Sequence, residues 1–147
     1  MRNRALFILA FAVMTATITT TAQAQSTTCP TLVANIPFQF NVGSKTLPAG
    51  RYTVSCMNSY SDQSVLRLLS EDARHSVVIQ TRGITGKSEG SARVVFRRYE
   101  DIYFFAKVWM PASGFGLESR KSHRERSIAR QFAGHSPRLK TVALLAR

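Results

Sequence analysis

Histidine and acidic residues are scarce in this chain. Three His and eight Asp or Glu stand against twenty Lys or Arg, a formal net charge of +12. None of the histidines, His75, His123 and His135, stands at metal-ligand spacing to another or to a cysteine, so no metal site is expected. A G-x-S-x-G elbow, a phosphate-cradling G-x-x-x-x-G-K-[ST] loop and a dinucleotide fingerprint are all missing, and no cofactor is expected. The glycines of "GITGKSEG" stand in the wrong order for a phosphate loop. Beyond residue 24 no apolar run approaches the ~20 residues that span a bilayer. No solenoid repeat or low-complexity tract is present, and nothing specifies an oligomeric state.

What is present begins with "MRNRALFILAFAVMTATITTTAQAQS". Arg2 and Arg4 form a positive start, Ala5 to Met14 an apolar stretch, and Ala22-Gln23-Ala24 an A-x-A cleavage signal. This order predicts a signal peptide over residues 1–24 and a secreted or periplasmic mature protein. The competing reading, an uncleaved anchor, is disfavoured because the apolar stretch dissolves into threonines after Met14. Cleavage leaves 123 residues, enough for one core, and removal of Arg2 and Arg4 leaves a net charge of +10.

After a linker over 25–31, "LVANIPFQFNV" alternates, with Leu32, Ala34, Ile36, Phe38, Phe40 and Val42 on one face. A period of two predicts a half-buried strand, and Pro37, which cannot donate to a ladder, belongs at an edge or bulge. "GSKTLPAG" is a turn by composition, leading to a strand over 51–57. Residues 64–70 and 75–81 flank "EDAR", and 92–99 and 102–110 flank Glu100-Asp101; both are expected hairpins. Residues 82–91, with three glycines, are expected as a mobile loop, and "ASGFG" as a flexible joint. The pattern predicts an all-β fold, an antiparallel sandwich or small barrel of about six strands over 32–111. In the strand around 102–110, Ile102, Phe104, Ala106, Val108 and Met110 form the expected core face. Tyr103, Phe105, Lys107 and Trp109 form an aromatic face, read first as inter-sheet packing and second as the floor of a glycan or peptide groove. Residues 112–147 are expected as a basic α-helix and a tail packed on the β domain. Ser122 with Glu125 three residues on matches a capping box, and Gly134 and Pro137 end the helix. The last segment, "RLKTVALLAR", suits a strand or a helical turn.

Cys29 and Cys56 form a candidate disulfide, as an even pair does in an oxidising compartment. If 32–42 and 51–57 pair as a hairpin, Cys56 faces Pro37, and Cys29 lies about 26 Å beyond at ~3.3 Å per residue. A bridge needs Cα atoms within ~7 Å. The bond therefore requires the N-terminal segment to fold back or the strands not to pair directly. The alternative is a buried Cys56 beside an exposed Cys29.

"ESRKSHRERSIARQF" concentrates Arg120, Lys121, Arg124, Arg126 and Arg130. On a helix, Arg120–Arg124 and Arg126–Arg130 are repulsive i,i+4 pairs. The thin apolar stripe of Ile128, Ala129 and Phe132 must dock on the sheet, leaving the arginines in solvent. A solvated face without a partner is the plain reading. Contact with anionic envelope polymers or acidic glycans needs only surface charge in the right compartment. Nucleic acid is disfavoured, because interleaved aromatics are missing and an exported protein rarely meets it. Membrane-surface binding wants a broader apolar face. The carboxylates in the expected hairpin loops, Glu71-Asp72 and Glu100-Asp101, read as turn formers. A small glycan-acting hydrolase built from loop carboxylates is the enzymatic alternative.

"ANIPFQFNVGSKTLPAGRYTV" (34–54), "RRYEDIYFFAKVWMP" (97–111) and "SRKSHRER" (119–126) together resemble a group of small secreted β-rich proteins common in acidobacteria-type genomes. The first element, IPF-x-F…LPAG-x-Y, is the more specific. The resemblance implies a signal peptide and a β-fold, and carries over no catalytic or binding residue. The expectation is a non-enzymatic extracytoplasmic β-domain with a structural or binding role at the envelope.

Overall fold

The computed structural model describes residues 30–57, 65–87, 90–111, 113–132 and 138–146. The leader expected over 1–24 and Cys29 lie outside them, as do Gly134, His135 and Pro137. The described chain is all-β with one short helix. Its strands are β1 Leu32–Ile36, β2 Phe40–Val42, β3 Lys45–Leu47, β4 Gly50–Cys56, β5 Val65–Ser70 and β6 Ser76–Thr85. They continue as β7 Arg93–Tyr99, β8 Ile102–Trp109, β9 Phe115–Ser119 and β10 Arg138–Ala146, with helix α1 at His123–Gln131 between the last two.

Eight strands close a ring, β1-β4-β5-β6-β9-β8-β7-β10, because β8 pairs with β9 as well as with β7, and β10 pairs with β1 as well as with β7. Every pairing in the ring is antiparallel. β6 and β10 make the corners. The first half of β6 pairs with β5 and the second with β9, while β10 passes from β7 to β1. Such strand sharing lets a twisted sheet curl onto itself without a free edge. The β2–β3 hairpin leans on β8, where β2 pairs in parallel through Phe40↔Tyr103.

Inward residues follow the period of two: Leu32, Ala34 and Ile36, Tyr52 and Val54, Leu66 and Leu68 are all essentially without solvent. Phe40 meets Tyr52 and Phe96 edge-on, at centroid distances of 5.2 and 5.3 Å, within the core. The interior is packed with side chains, as expected for eight strands.

Several expectations are corrected. The strand over 32–42 is broken at Pro37-Phe38-Gln39, where proline's missing N–H ends the ladder. The hairpin around "GSKTLPAG" is the small β2–β3 pair, and β1 pairs with β4 around it, so Arg51 faces Asn35 and not Val42. Residues 82–85, expected as loop, continue β6, and "ASGFG" runs into β9. Of the two alternatives for the tail, strand or helical turn, it takes the strand, β10, and with β9 it carries strand structure past residue 111. Among the described residues, eight strands lie over 32–111, where about six were expected, and two more follow. The alternation in β8 is also not single. Val95 pairs with Lys107 but Phe96 with Phe105, leaving Ala106 as a bulge. One extra residue reverses the facing of everything after it. Tyr103 and Phe105 therefore pack with the core alongside Val108 and Met110, while Phe104, Lys107 and Trp109 take the outer side. Both expected hairpin turns are present, pairing Tyr99 with Ile102 and Leu69 with Ser76; Glu100 turns the first at φ +50.

Candidate functional site

The basic helix is set on the outer wall of β7 and β8. Ser122 is its N-cap, and its hydroxyl accepts the Glu125 N–H at 3.1 Å. That is half of the expected capping box. The other half is replaced: the Glu125 carboxylate turns to the barrel and is 1 % exposed. There it takes both arms of the Arg97 guanidinium, Nε to Oε1 and Nη2 to Oε2 at 3.0 Å. The Tyr99 hydroxyl donates to the same carboxylate at 3.3 Å, and Arg97 Nη2 also donates to the Phe105 carbonyl at 3.3 Å. Phe104 packs edge-on against Tyr99 beneath them. Ile128 and Phe132, expected to hold the helix, are only half-buried. A stripe of so few apolar atoms gives way to a two-pronged ion pair whose polar atoms are nearly all satisfied.

A second tether runs from the helix to the small hairpin. Arg124 Nη1 donates to Thr46 Oγ1 at 3.0 Å, Thr46 donates to Asn41 Oδ1 at 2.8 Å, and Asn41 Nδ2 donates to the Tyr103 carbonyl at 3.0 Å. Lys121 places its ammonium 6.0 Å above the Tyr99 ring. Helix, hairpin and wall are thereby joined at fixed points.

All five sequence-chosen cations, Arg120, Lys121, Arg124, Arg126 and Arg130, are exposed. Among the described residues none of them has a carboxylate partner. Five acids are engaged elsewhere: Glu71 with Arg51, Asp72 with Arg74, Glu118 with Arg82, Asp101 with Arg98 and Glu125 with Arg97. The result is a local concentration of positive charge, whose field reaches about one Debye length, ~8 Å at physiological salt.

The loop carboxylates lie at a different place. Glu71 and Asp72, with Arg51, Tyr52, Ser70 and His75, line an open pocket of about 330 Å³ where β4 meets the β5–β6 turn. Ser70 Oγ donates to Asp72 Oδ1 at 2.5 Å, the Arg74 N–H donates to it at 3.1 Å, and the His75 N–H reaches Ser70 Oγ at 2.9 Å. The Ser70 hydroxyl, and then the Arg74 N–H, hold the Asp72 carboxyl below its ordinary range. It is thus a standing anion and hydrogen-bond acceptor at neutral pH. Burial, and then the Asp72 charge, push the Tyr52 phenol up, and its hydroxyl donates to the Pro48 carbonyl at 2.8 Å. These bonds close a turn. Both carboxylates are more than half exposed, whereas a raised, proton-donating acid needs burial. Among the described residues no three His, Cys, Asp or Glu side chains converge as metal ligands, and no helix is long and apolar enough to cross a membrane.

The Arg97–Glu125–Tyr99 cluster is absent from the sequence reading. The one available signal was Arg97 in a strand at an outward position beside aromatic residues. Nothing local ties it to a glutamate 28 positions away. Comparison with protein-family models, with curated proteins and with solved structures finds no match for this chain.

Proposed function

We propose that the chain is a non-enzymatic β-barrel domain of the extracytoplasmic space, and that its basic helix holds it to acidic polymers of the cell envelope. The observation that carries this reading is a set of five exposed cations that have no carboxylate partner among the described residues: Arg124, Arg126 and Arg130 on the helix, and Arg120 and Lys121 just before its cap, the helix being fixed to the wall by the buried Glu125–Arg97 pair. A cluster fixed in this way presents its charge at little further loss of conformational freedom on binding. Export belongs to the same reading, supported by the positive, apolar and A-x-A order of residues 1–24.

A Cys29–Cys56 disulfide is also part of the proposal. The register Leu32↔Val54, carried two residues further, sets position 30 opposite Cys56, next in sequence to Cys29. No described cysteine is free, which supports the pairing. Reactive thiols in the unfolded, unreduced protein would refute the pairing.

The test of binding is capture of the mature protein on an acidic polysaccharide matrix at rising salt. Elution should move to much lower salt when Arg120, Arg124 and Arg126 are changed together to Gln, because each cation lost releases fewer counterions. Unchanged elution in the triple variant removes the helix as the grip. Retention on a DNA matrix alone would favour a nucleic-acid binder instead.

A further inference from the structure

The wall opposite the basic helix is built differently. In ring order β5 lies four places from β7 by either route. Leu66 and Leu68 point into the core, so Val65, Arg67 and Leu69 point outward. Arg67 stands between Ser55 of β4 and Val78 of β6. One row away, the Met57 N–H bonds the Val65 carbonyl at 2.7 Å. Over 53–57, 65–69 and 76–80 Arg67 is the one charged residue, in a chain with twenty Lys or Arg. Met57 and Val78, beside it on this wall, are the large apolar side chains that stand exposed among the described residues, at 59 and 52 %.

Arg67 Nε is shut from solvent and has no hydrogen-bond partner. Among the described residues no carboxylate pairs with its guanidinium. A guanidinium is all donors and keeps its charge, so an Nε left dry and unpaired costs the fold free energy without stabilising it. The opposite wall shows the completed form of this arrangement. Arg97 also points out of its strand, and helix α1 brings Glu125 onto both of its arms. Arg67 has the strand position and the apolar surround, and among the described residues it has no such glutamate. Three strands at ~4.8 Å spacing make a strip about 10 Å wide, the width of one α-helix.

We propose that the outer wall of β4, β5 and β6 is a docking site for an amphipathic helix of a partner protein, one that sets a single Asp or Glu among small apolar residues against Arg67. Arginine at the centre of an apolar patch is a frequent anchor of protein interfaces, and a helix supplies its contacts at i, i+3, i+4 and i+7. A second copy docked by the same wall sets Arg67 against Arg67, like charges in a dry place. The site uses other residues on another wall than the grip on acidic polymers, and either fails without the other.

The probe is a fluorescein-labelled, alanine-based peptide of about 16 residues, long enough to turn helical on docking, with a stripe of Leu and Val and one Glu at its middle. Companion peptides carry Gln or Lys at that place, or the Glu moved to the far face so that net charge is kept. Anisotropy against the protein should give the stripe-Glu peptide a half-saturation concentration about tenfold below those of the other three, the size of one charge-assisted hydrogen bond. In Arg67→Met that preference should vanish, while the urea midpoint stays or rises, since an apolar side chain replaces an unpaired donor. Equal binding by all four peptides, binding by none, or a preference that survives in Arg67→Met overturns the site. So does a lowered urea midpoint, which makes Arg67 part of the fold's own support. A dimer in sedimentation that Arg67→Met dissolves gives the wall to a second copy and overturns the helix as its occupant.

Discussion

The inside of the barrel and the seat of the helix are equally dry and are held by opposite means. Phe96 inside and Glu125 on the wall are 0 and 1 % exposed. Inside, Phe40, Tyr52 and Phe96 meet edge-on with Leu66, Leu68 and Val54 around them, contacts that tolerate small shifts of angle. On the wall, a carboxylate and a guanidinium meet in one geometry, and a wrong angle leaves a charge without compensation. The apolar layer supplies stability, and the ion pair supplies position. A helix that displays cations needs a fixed seat more than a deep one.

Three experiments sharpen or break that contrast. The largest effect is expected from Phe96→Ala, about 4 kcal/mol of unfolding free energy by urea titration, from lost contact and the cavity left behind. A loss under about 1 kcal/mol would mean that the ring is not part of a close-packed interior. Glu125→Gln should remove about 3 kcal/mol, because Arg97 keeps its charge with its partner gone. Amides of residues 123–131 should then exchange faster while those of β4 and β5 stay protected. Replacing both partners, Arg97→Met with Glu125→Leu, should recover most of the loss; a double variant as weak as the single one contradicts the uncompensated-charge account. Ser122→Ala should give the smallest change, about 1 kcal/mol, confined to the first turn. An effect as large as that of Glu125→Gln would shift the main anchor from the wall to the cap.

The parts of the fold readable from sequence were those where one residue's environment repeats two positions on. β1 and β4 announce themselves by alternation, β5 and β7 more loosely by their apolar composition, and the turns at 99–102 and 69–76 by their flanking strands. The unread parts depend on pairs distant in the chain. The bulge at Ala106 is invisible locally because it is defined by Val95 and Phe96 across the ladder. Residues 82–85 look like loop because Gly83 removes a side chain where Phe115 approaches, and Gly86 and Gly116 do the same for Trp109. At the helix, Ser122 was legible as a cap, and the five cations were correctly placed in water. Glu125 was read only as a capping partner, since its real role requires Arg97 and Tyr99 from another element.

β10, the last strand, stitches the ring shut between β7 and β1, with Ala146 beside Leu32. Head and tail of the domain thus complete one another, and a chain still emerging at its far end has a gap where the final stave belongs. Assembly must wait until β10 itself is available, and removing residues 138–146 should prove as disruptive as a lesion at the centre.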